Sequence, residues 1–267
     1  MNTSKHQHKK RFGQNFLNNP HIIERIIKAI NPQPQDHLIE IGPGQAALTA
    51  PLLKIVKRLD IIEIDNDLIA PLNQKFAQYP NFHLHHADAL KFNYTPLIPP
   101  SQKLRIVGNL PYNISSPLIF HLLTYADHLQ DLHLMLQKEV VDRIHAQPGS
   151  KTYGRLSVMI QYRCQTQPLF KVSPQNFTPA PKVDSAVIRL TPWPTPPNPA
   201  HNQTHFAQIV KAAFAHKRKT LRNNLKGLIT DQQIQNLGLN PNQRAEQLSI
   251  TDFVTLANHY TQHKADT

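Results

Sequence analysis

One cysteine, Cys164, stands in 267 residues, so there is no intrachain disulfide framework and too few thiols for a structural zinc site. That scarcity fits a reducing compartment, and the expectation is a cytoplasmic protein with no metal. Long apolar runs are missing too: no window approaches the roughly 18 apolar residues that a membrane-spanning helix needs. The stretch from Met1 to Arg11 is polar and basic and has no apolar segment of the signal-peptide kind. Acidic residues are scarce: 17 Asp and Glu face 29 Lys and Arg, for a net charge of +12 with 16 histidines uncounted. Such a surplus attracts polyanions, and because the basic residues cluster, nucleic acid is a better match than a diffuse solubility charge. An anionic membrane surface fits less well, since no basic amphipathic helix carries an aromatic face.

What is present is a core-forming chain, with 40% hydrophobic residues. Asn19 as cap and Pro20 at the first turn open a helix whose Ile22, Ile23, Ile26, Ile27 and Ile30 fall on one stripe, and Asn31 with Pro32 closes it. Short apolar runs then alternate with helical segments. Strands are predicted at His37–Ile41, Leu59–Ile64, Phe82–His86, Leu104–Val107 and Asp131–Gln137, with helices at Ala46–Val56, Asp67–Ala77 and from Ser116 to about Tyr125. That alternation predicts an α/β fold: a Rossmann-like parallel sheet covered by helices on both faces. Two late runs, Thr166–Val172 and Ala186–Leu190, have no helix between them and are expected as an antiparallel pair at the sheet edge. The segment 191–200 holds five prolines and reads as a semi-rigid linker. The predicted organisation is therefore a sheet domain over 1–190, the linker over 191–200, and a small helical domain over 201–267. Its helices are expected at His205–Leu228, Asp231–Leu237 and Ile250–Tyr260.

Leu38-Ile39-Glu40-Ile41-Gly42-Pro43-Gly44 is a strand running into a glycine turn. Glycines there let backbone approach a ligand at the carboxyl end of a parallel sheet. Glu63, about 20 residues on, ends the second strand and suits the hydroxyls of a ribose. A ribose-gripping acid does not separate a nicotinamide dinucleotide from S-adenosylmethionine, because both contain adenosine. Pro43 helps to separate them: a pyrophosphate wants a backbone N–H at this turn, and proline removes one. Glu40 suits a ligand carrying an ammonium group and a sulfonium. The cofactor reading is therefore S-adenosylmethionine. Asp88, after the third strand, is placed either to accept a hydrogen bond from the cofactor's adenine amine or to cap the next turn. His83, His85 and His86 lack cysteines or a downstream partner at ligand spacing, so a metal site is not expected.

Asn109-Leu110-Pro111-Tyr112 follows the fourth strand. The exocyclic amine of adenine is a poor nucleophile, because its lone pair is delocalised into the ring. Accepting both amine protons, one on the Asn109 amide oxygen and one on the Leu110 carbonyl, aims that lone pair at a methyl donor. Pro111 fixes the turn. Tyr112 offers an aromatic face to a base that has left its stack. The bland alternative is an ordinary proline turn with a packed tyrosine, and its position one strand beyond the two acids argues against that.

With these segments in place the chain resembles the 16S rRNA adenine dimethyltransferase family, which implies a Rossmann-like sheet of the class I methyltransferase type, with 1–190 as the S-adenosylmethionine-binding catalytic domain and 201–267 as the RNA-contacting domain. The resemblance rests on Lys10–Leu17, Glu40–Gly44, Ile62–Asp65, Ala87–Ala89, Gly108–Tyr112, Tyr153–Ser157 and Phe177–Ser185, and it extends from about residue 10 to about residue 226. Gln45 after the glycine turn is a minor departure. The resemblance implies that Asn15 and Leu17 close over the cofactor, and that Gly42, Glu63, Asp88 and Asn109 contact it. It further implies that Phe177 forms a second aromatic wall of the target-base pocket opposite Tyr112, a residue that otherwise reads as a core aromatic.

Between His205 and Lys226 lie Lys211, Lys217, Arg218, Lys219, Arg222 and Lys226, with no acidic residue. On a continuous helix Lys211, Arg218 and Arg222 share a face, with Phe206, Ile209, Ala213 and Phe214 turned inward. Such a face holds RNA phosphates; the bland reading is a solvated helix surface. Lys5, Lys9, Lys10 and Arg11 add a basic arm, and Arg143, Lys151 and Arg155 extend the basic track. The expected partner is 16S rRNA in the small subunit or its precursor, with two methyl groups placed on each target adenine, two adjacent adenines being the expected targets. The protein is expected to act as a monomer, with no membrane. The nearest alternative is a 23S rRNA adenine methyltransferase of the antibiotic-resistance kind. A non-catalytic RNA-binding assembly or transcription factor and a nicotinamide-dependent dehydrogenase are more distant.

Overall fold

The computed structural model describes residues 15–265. The basic arm and the motif residues before Asn15 lie outside them. In chain order the strands are β1 (Phe16–Leu17), β2 (His37–Ile41), β3 (Arg58–Glu63), β4 (Phe82–His86), β5 (Leu104–Asn109), β6 (Leu129–Gln137), β7 (Cys164–Val172), β8 (Phe177–Thr178) and β9 (Ser185–Pro192). The helices are α1 (Pro20–Ile30), α2 (Thr49–Leu53), α3 (Asn66–Phe76), α4 (Ser115–Leu123), α5 (Lys138–Ile144), α6 (Arg155–Arg163), α7 (Gln203–Ala213), α8 (Leu221–Asn224), α9 (Asp231–Asn236) and α10 (Ile250–Ala265).

Strands β2 to β7 with β9 form one sheet in the order β4-β3-β2-β5-β6-β9-β7, and β1 pairs with β8 in a separate two-stranded ladder. From β4 to β6 the pairing is parallel, and β9 enters antiparallel to β6. The expected late strands therefore do close the sheet edge, with β9 between β6 and β7. Leu38, Leu59, Ile61 and Val107 share one core with Ile26, Ile30, Leu52, Leu68 and Phe76 from α1, α2 and α3. Ile39 and Ile106 point to the opposite face and are equally buried, so both faces of the sheet are covered.

Local signals explain the element ends. Asn19 accepts the His21 N–H at 2.9 Å and opens α1. Asn31 takes the left-handed conformation at φ 47 and closes it. The Asn31 and Ile30 carbonyls then accept hydrogen bonds from the buried Arg105 guanidinium, which also holds Asp131 through two nitrogens and Asp36 at 2.6 Å. This network ties the C-terminus of α1 to β5 and β6.

The chain divides into two units. One runs to Val141 and resumes over Gln167–Pro192; the other comprises Asp142–Thr166 and the chain from Trp193 onward. The passage at Trp193 falls inside the proline segment expected as a linker. The segment 142–166, expected within the first domain, belongs to the second unit. The reason is aromatic and apolar packing: Tyr162 of α6 stacks on Phe206 of α7 at 4.2 Å, and Tyr153 and Val158 join Ile209, Phe253 and Val254 in one core.

The basic segment departs from the expected single helix. α7 ends at Ala213, residues 214–220 turn, and α8 is only four residues long. The Asn224 side-chain amide donates to the carbonyls of Ala213, His216 and Lys219, giving the turn partners that a helix would have supplied. Lys211, Arg218 and Arg222 therefore do not lie along one helix face.

Candidate active site

The carboxyl ends of β2, β3 and β5 open onto a cavity of about 230 Å³ in the first unit. Four chain segments line it: residues 40–48 around the glycine turn, 62–64 after β3, 87–90 after β4, and 109–114 after β5; Asn15, Phe16 and Leu17 complete the wall. This is where a parallel sheet with crossover helices places a ligand.

The glycine turn needs its glycines for two different reasons. Gly42 has φ +65 and a Cβ built there meets nothing within 4 Å, so the peptide faces open space. Gly44 has φ +56, and its Cβ would lie 2.7 Å from the Phe16 ring, so glycine is what lets β1 approach the loop. Ala46 also adopts positive φ, at 69. At Gly108 a Cβ would meet the Ile41 carbonyl at 2.9 Å, which keeps β2 and β5 close behind the cavity.

Two carboxyl groups face the cavity from the same side of the sheet. Glu40 is 2% exposed, and its carboxylate accepts the Thr49 hydroxyl at 2.7 Å. Burial pushes its pKa up to about 7, the Thr49 bond opposes that rise, and the Glu63 charge adds to it. Glu63 is also raised by burial, against backbone N–H donors that include Asp65 at 2.7 Å. Buried acids held by neutral partners favour a ligand that brings positive charge or hydroxyl donors. Asp88 is half-buried and accepts the Leu90 N–H at 3.0 Å, so it combines a turn-forming role with a place on the cavity wall.

Opposite the glycine turn, Asn109 ends β5 and Leu110 N–H bonds to the Met135 carbonyl at 3.1 Å, which anchors the tetrapeptide to β6. The Asn109 amide nitrogen donates to the Asn15 carbonyl at 3.0 Å. That bond commits the amide nitrogen to Asn15 and so fixes the orientation of the amide, with its oxygen on the side away from that carbonyl as an acceptor. Tyr112 lines the cavity, its phenol bonds to the Ser185 hydroxyl at 2.8 Å, and burial raises its pKa.

Of the residues expected at the site, Asn15, Leu17, Gly42, Glu63, Asp88, Asn109, Leu110, Pro111 and Tyr112 all line one cavity. Phe177 does not. It is 4% exposed, pairs with Leu17 across the β1–β8 ladder, and packs in the core with it. Sequence reasoning missed Phe16, the Thr49 partner of Glu40 and the Ser185 partner of Tyr112. Phe16 and Ser185 reach the site only through contacts between distant segments, while Thr49 meets Glu40 by the chain folding back across the glycine turn. Of the histidines at 83, 85 and 86, His85 is engaged otherwise: with the buried His37 it bonds the buried Asp60, at 2.6 and 2.5 Å, and Arg58 joins them. Among the described residues no group of three metal-ligating side chains is placed to hold an ion.

The basic residues Lys211, Lys217, Arg218, Lys219, Arg222 and Lys226 are all exposed on the second unit, which also carries the exposed Arg143, Lys151 and Arg155. Arg222 is already paired with Asp231 at 2.6 Å. Among the described residues no helix is long and apolar enough to cross a membrane.

Comparison with known proteins adds the following. Residues 5–262 match the family model described as ribosomal RNA adenine dimethylase. A ribosomal RNA small subunit methyltransferase A of Hydrogenovibrio crunogenus is 63% identical over 98% of this chain and 100% of its own length. The crystal structure of a dimethyladenosine transferase from Plasmodium falciparum superposes with a TM-score of 0.80 at 26% identity, covering 93% of this chain and 98% of that one. The crystal structure of the 23S rRNA methyltransferase ErmE gives a TM-score of 0.73 at 24% identity, covering 93% of this chain and all of that one, a likeness of fold.

Proposed function

The chain belongs to the ribosomal RNA adenine dimethylase family, and from that premise we propose that it transfers methyl groups from S-adenosylmethionine to the N6 amine of adenine in 16S rRNA, two to each target adenine. The observation that carries this reading is the oriented Asn109 amide on the rim of the glycine-loop cavity.

The cavity suits this cofactor. The open peptide at Gly42, the buried acids Glu40 and Glu63, and Asp88 on the far wall match a ligand with an ammonium group, ribose hydroxyls and an adenine amine. Gly42, Glu63, Asp88 and Asn109 would hold it, with Asn15 and Leu17 of the N-terminal segment covering it. When bound, S-adenosylmethionine supplies an electrophilic methyl group on a positively charged sulfur. The protein's task is positioning. The Asn109 oxygen and the Leu110 carbonyl accept hydrogen bonds from the two amine N–H groups, so the nitrogen lone pair is turned away from both oxygens and toward the methyl group. Pro111 fixes the turn, and Tyr112 stacks the extruded base. No strong base is needed, since a methylated ammonium loses its proton readily to water. Phe177, the cross-strand partner of Leu17, stands outside the cavity lining and is given no part in this arrangement.

We assign RNA phosphate contact to the basic residues of the second unit, which give position without sequence choice. The small-subunit reading is favoured over a 23S substrate by the 63% identity to a protein named for the small subunit. The test is incubation with undermethylated small subunits and labelled S-adenosylmethionine, followed by mass analysis of the nucleosides. Dimethyladenosine is the expected product, and small subunits that take up no label into adenine would refute the proposal.

A further inference from the structure

We infer that Ser185 is a positioning residue that holds the Tyr112 ring by its hydroxyl and so lets the second of two methyl transfers run to completion. The inference rests on the adenine dimethylation reading and deepens it. Ser185 opens β9 directly opposite Gln137 of β6, and it is 0% exposed. The preceding residue is fixed as well, since the Asp184 carbonyl accepts the Lys138 N–H at 2.9 Å. The serine hydroxyl is therefore a rigid point. Tyr112 is gripped at two places: its phenol by Ser185 at 2.8 Å, and its carbonyl by the Ser115 hydroxyl at 3.2 Å. A half-buried tyrosine held only by its backbone would retain rotamer freedom; one pinned at the far end of the ring does not.

The two transfers make unequal demands on that ring. In each, the N6 lone pair forms an N–C bond as the methyl–sulfur bond breaks, the bonding pair staying on sulfur and one amine proton leaving to water. Before the first transfer the amine has two hydrogens, one for the Asn109 oxygen and one for the Leu110 carbonyl. After it, a single hydrogen remains, so one of these bonds is gone. The base is then oriented by one hydrogen bond and by stacking on Tyr112. A loosened ring therefore penalises the second transfer more than the first.

The test compares wild-type protein with Ser185→Ala, Tyr112→Phe and the double variant. Each is incubated with undermethylated small subunits and S-adenosylmethionine, and N6-methyl- and N6,N6-dimethyladenosine are quantified at matched total incorporation. Both single variants should raise the ratio of mono- to dimethyl product on the order of fivefold, the effect of losing one hydrogen bond. The double variant should add nothing, because both substitutions break the same bond. KM for S-adenosylmethionine should stay at the wild-type value. If Ser185→Ala fails to fold, Tyr112→Phe decides alone, since it keeps the ring at a half-exposed position. An unchanged product ratio in folded Tyr112→Phe overturns the inference, as does equal slowing of both steps. Wild-type protein that makes no methyladenine overturns the parent reading along with it, whereas wild-type dimethyl product with unaltered ratios in the variants overturns this inference alone.

Discussion

Glu40→Gln should make the ligand-free protein more stable at neutral and alkaline pH. Glu40 is 2% exposed, and its pKa rises from 4.5 to about 7 chiefly through burial. The folded state thus binds this proton more tightly than the unfolded chain does. Stability is then lost as pH climbs from the unfolded value through the folded one, and the loss is complete above about 7. At 1.36 kcal/mol per pH unit, the interval corresponds to ~3 kcal/mol as an upper value. Glutamine keeps the shape and an oxygen for the Thr49 hydroxyl, but it carries no charge. Urea unfolding, followed by circular dichroism, should show Glu40→Gln and wild type alike at about pH 4, and the variant ~1–3 kcal/mol more stable at about pH 8. The same change should weaken binding of a cationic ligand, as expected where a site keeps a destabilising charge for function. An advantage that does not vary with pH, or none at about pH 8, would refute the assignment of the stored cost to this carboxyl group.

Asn109→Ala should abolish methyl transfer while leaving RNA affinity near wild type in a filter-binding assay; normal turnover would remove the amide from the chemistry. Gly44→Ala combines a φ of +56 with a Cβ 2.7 Å from the Phe16 ring, and it should cost roughly 1–3 kcal/mol and weaken cofactor binding, read by thermal melts and calorimetry. Arg105→Met leaves Asp131 buried without its two-nitrogen partner, so a loss of about 3–5 kcal/mol is expected in urea titrations. Charge reversal at Arg218 and Arg222 should weaken RNA binding and flatten its dependence on salt. Arg218 should carry the larger share, since Arg222 is already paired with Asp231.

Elements whose cause is local were legible. Asn19, Pro20 and Asn31 bound the first helix because caps act through neighbouring backbone. The glycine turn and the tetrapeptide follow strands whose apolar runs identify a buried parallel sheet. The second unit was harder. α6 buries Leu156, Ser157, Val158, Ile160 and Tyr162, so apolar residues surround it and no one-sided stripe marks it. The basic segment carries helix-compatible residues throughout, and the break after Ala213 comes from the Asn224 side chain, 11 residues away. Propensity contains no term for that bond.

By itself the sequence determined the alternation of strands and helices in the parallel half of the sheet, the cleft's acids and the turn at Asn109–Tyr112, because periodicity and turn chemistry act over a few residues. Only the tertiary structure decided that Asn15 orients Asn109, that Ser185 pins Tyr112, and that Phe177 pairs with Leu17 in the core. It also decided that 142–166 joins the second unit. Each of these joins residues separated by long stretches of chain, and the energy that selects them comes from burial and hydrogen bonds that do not exist until the sheet has assembled.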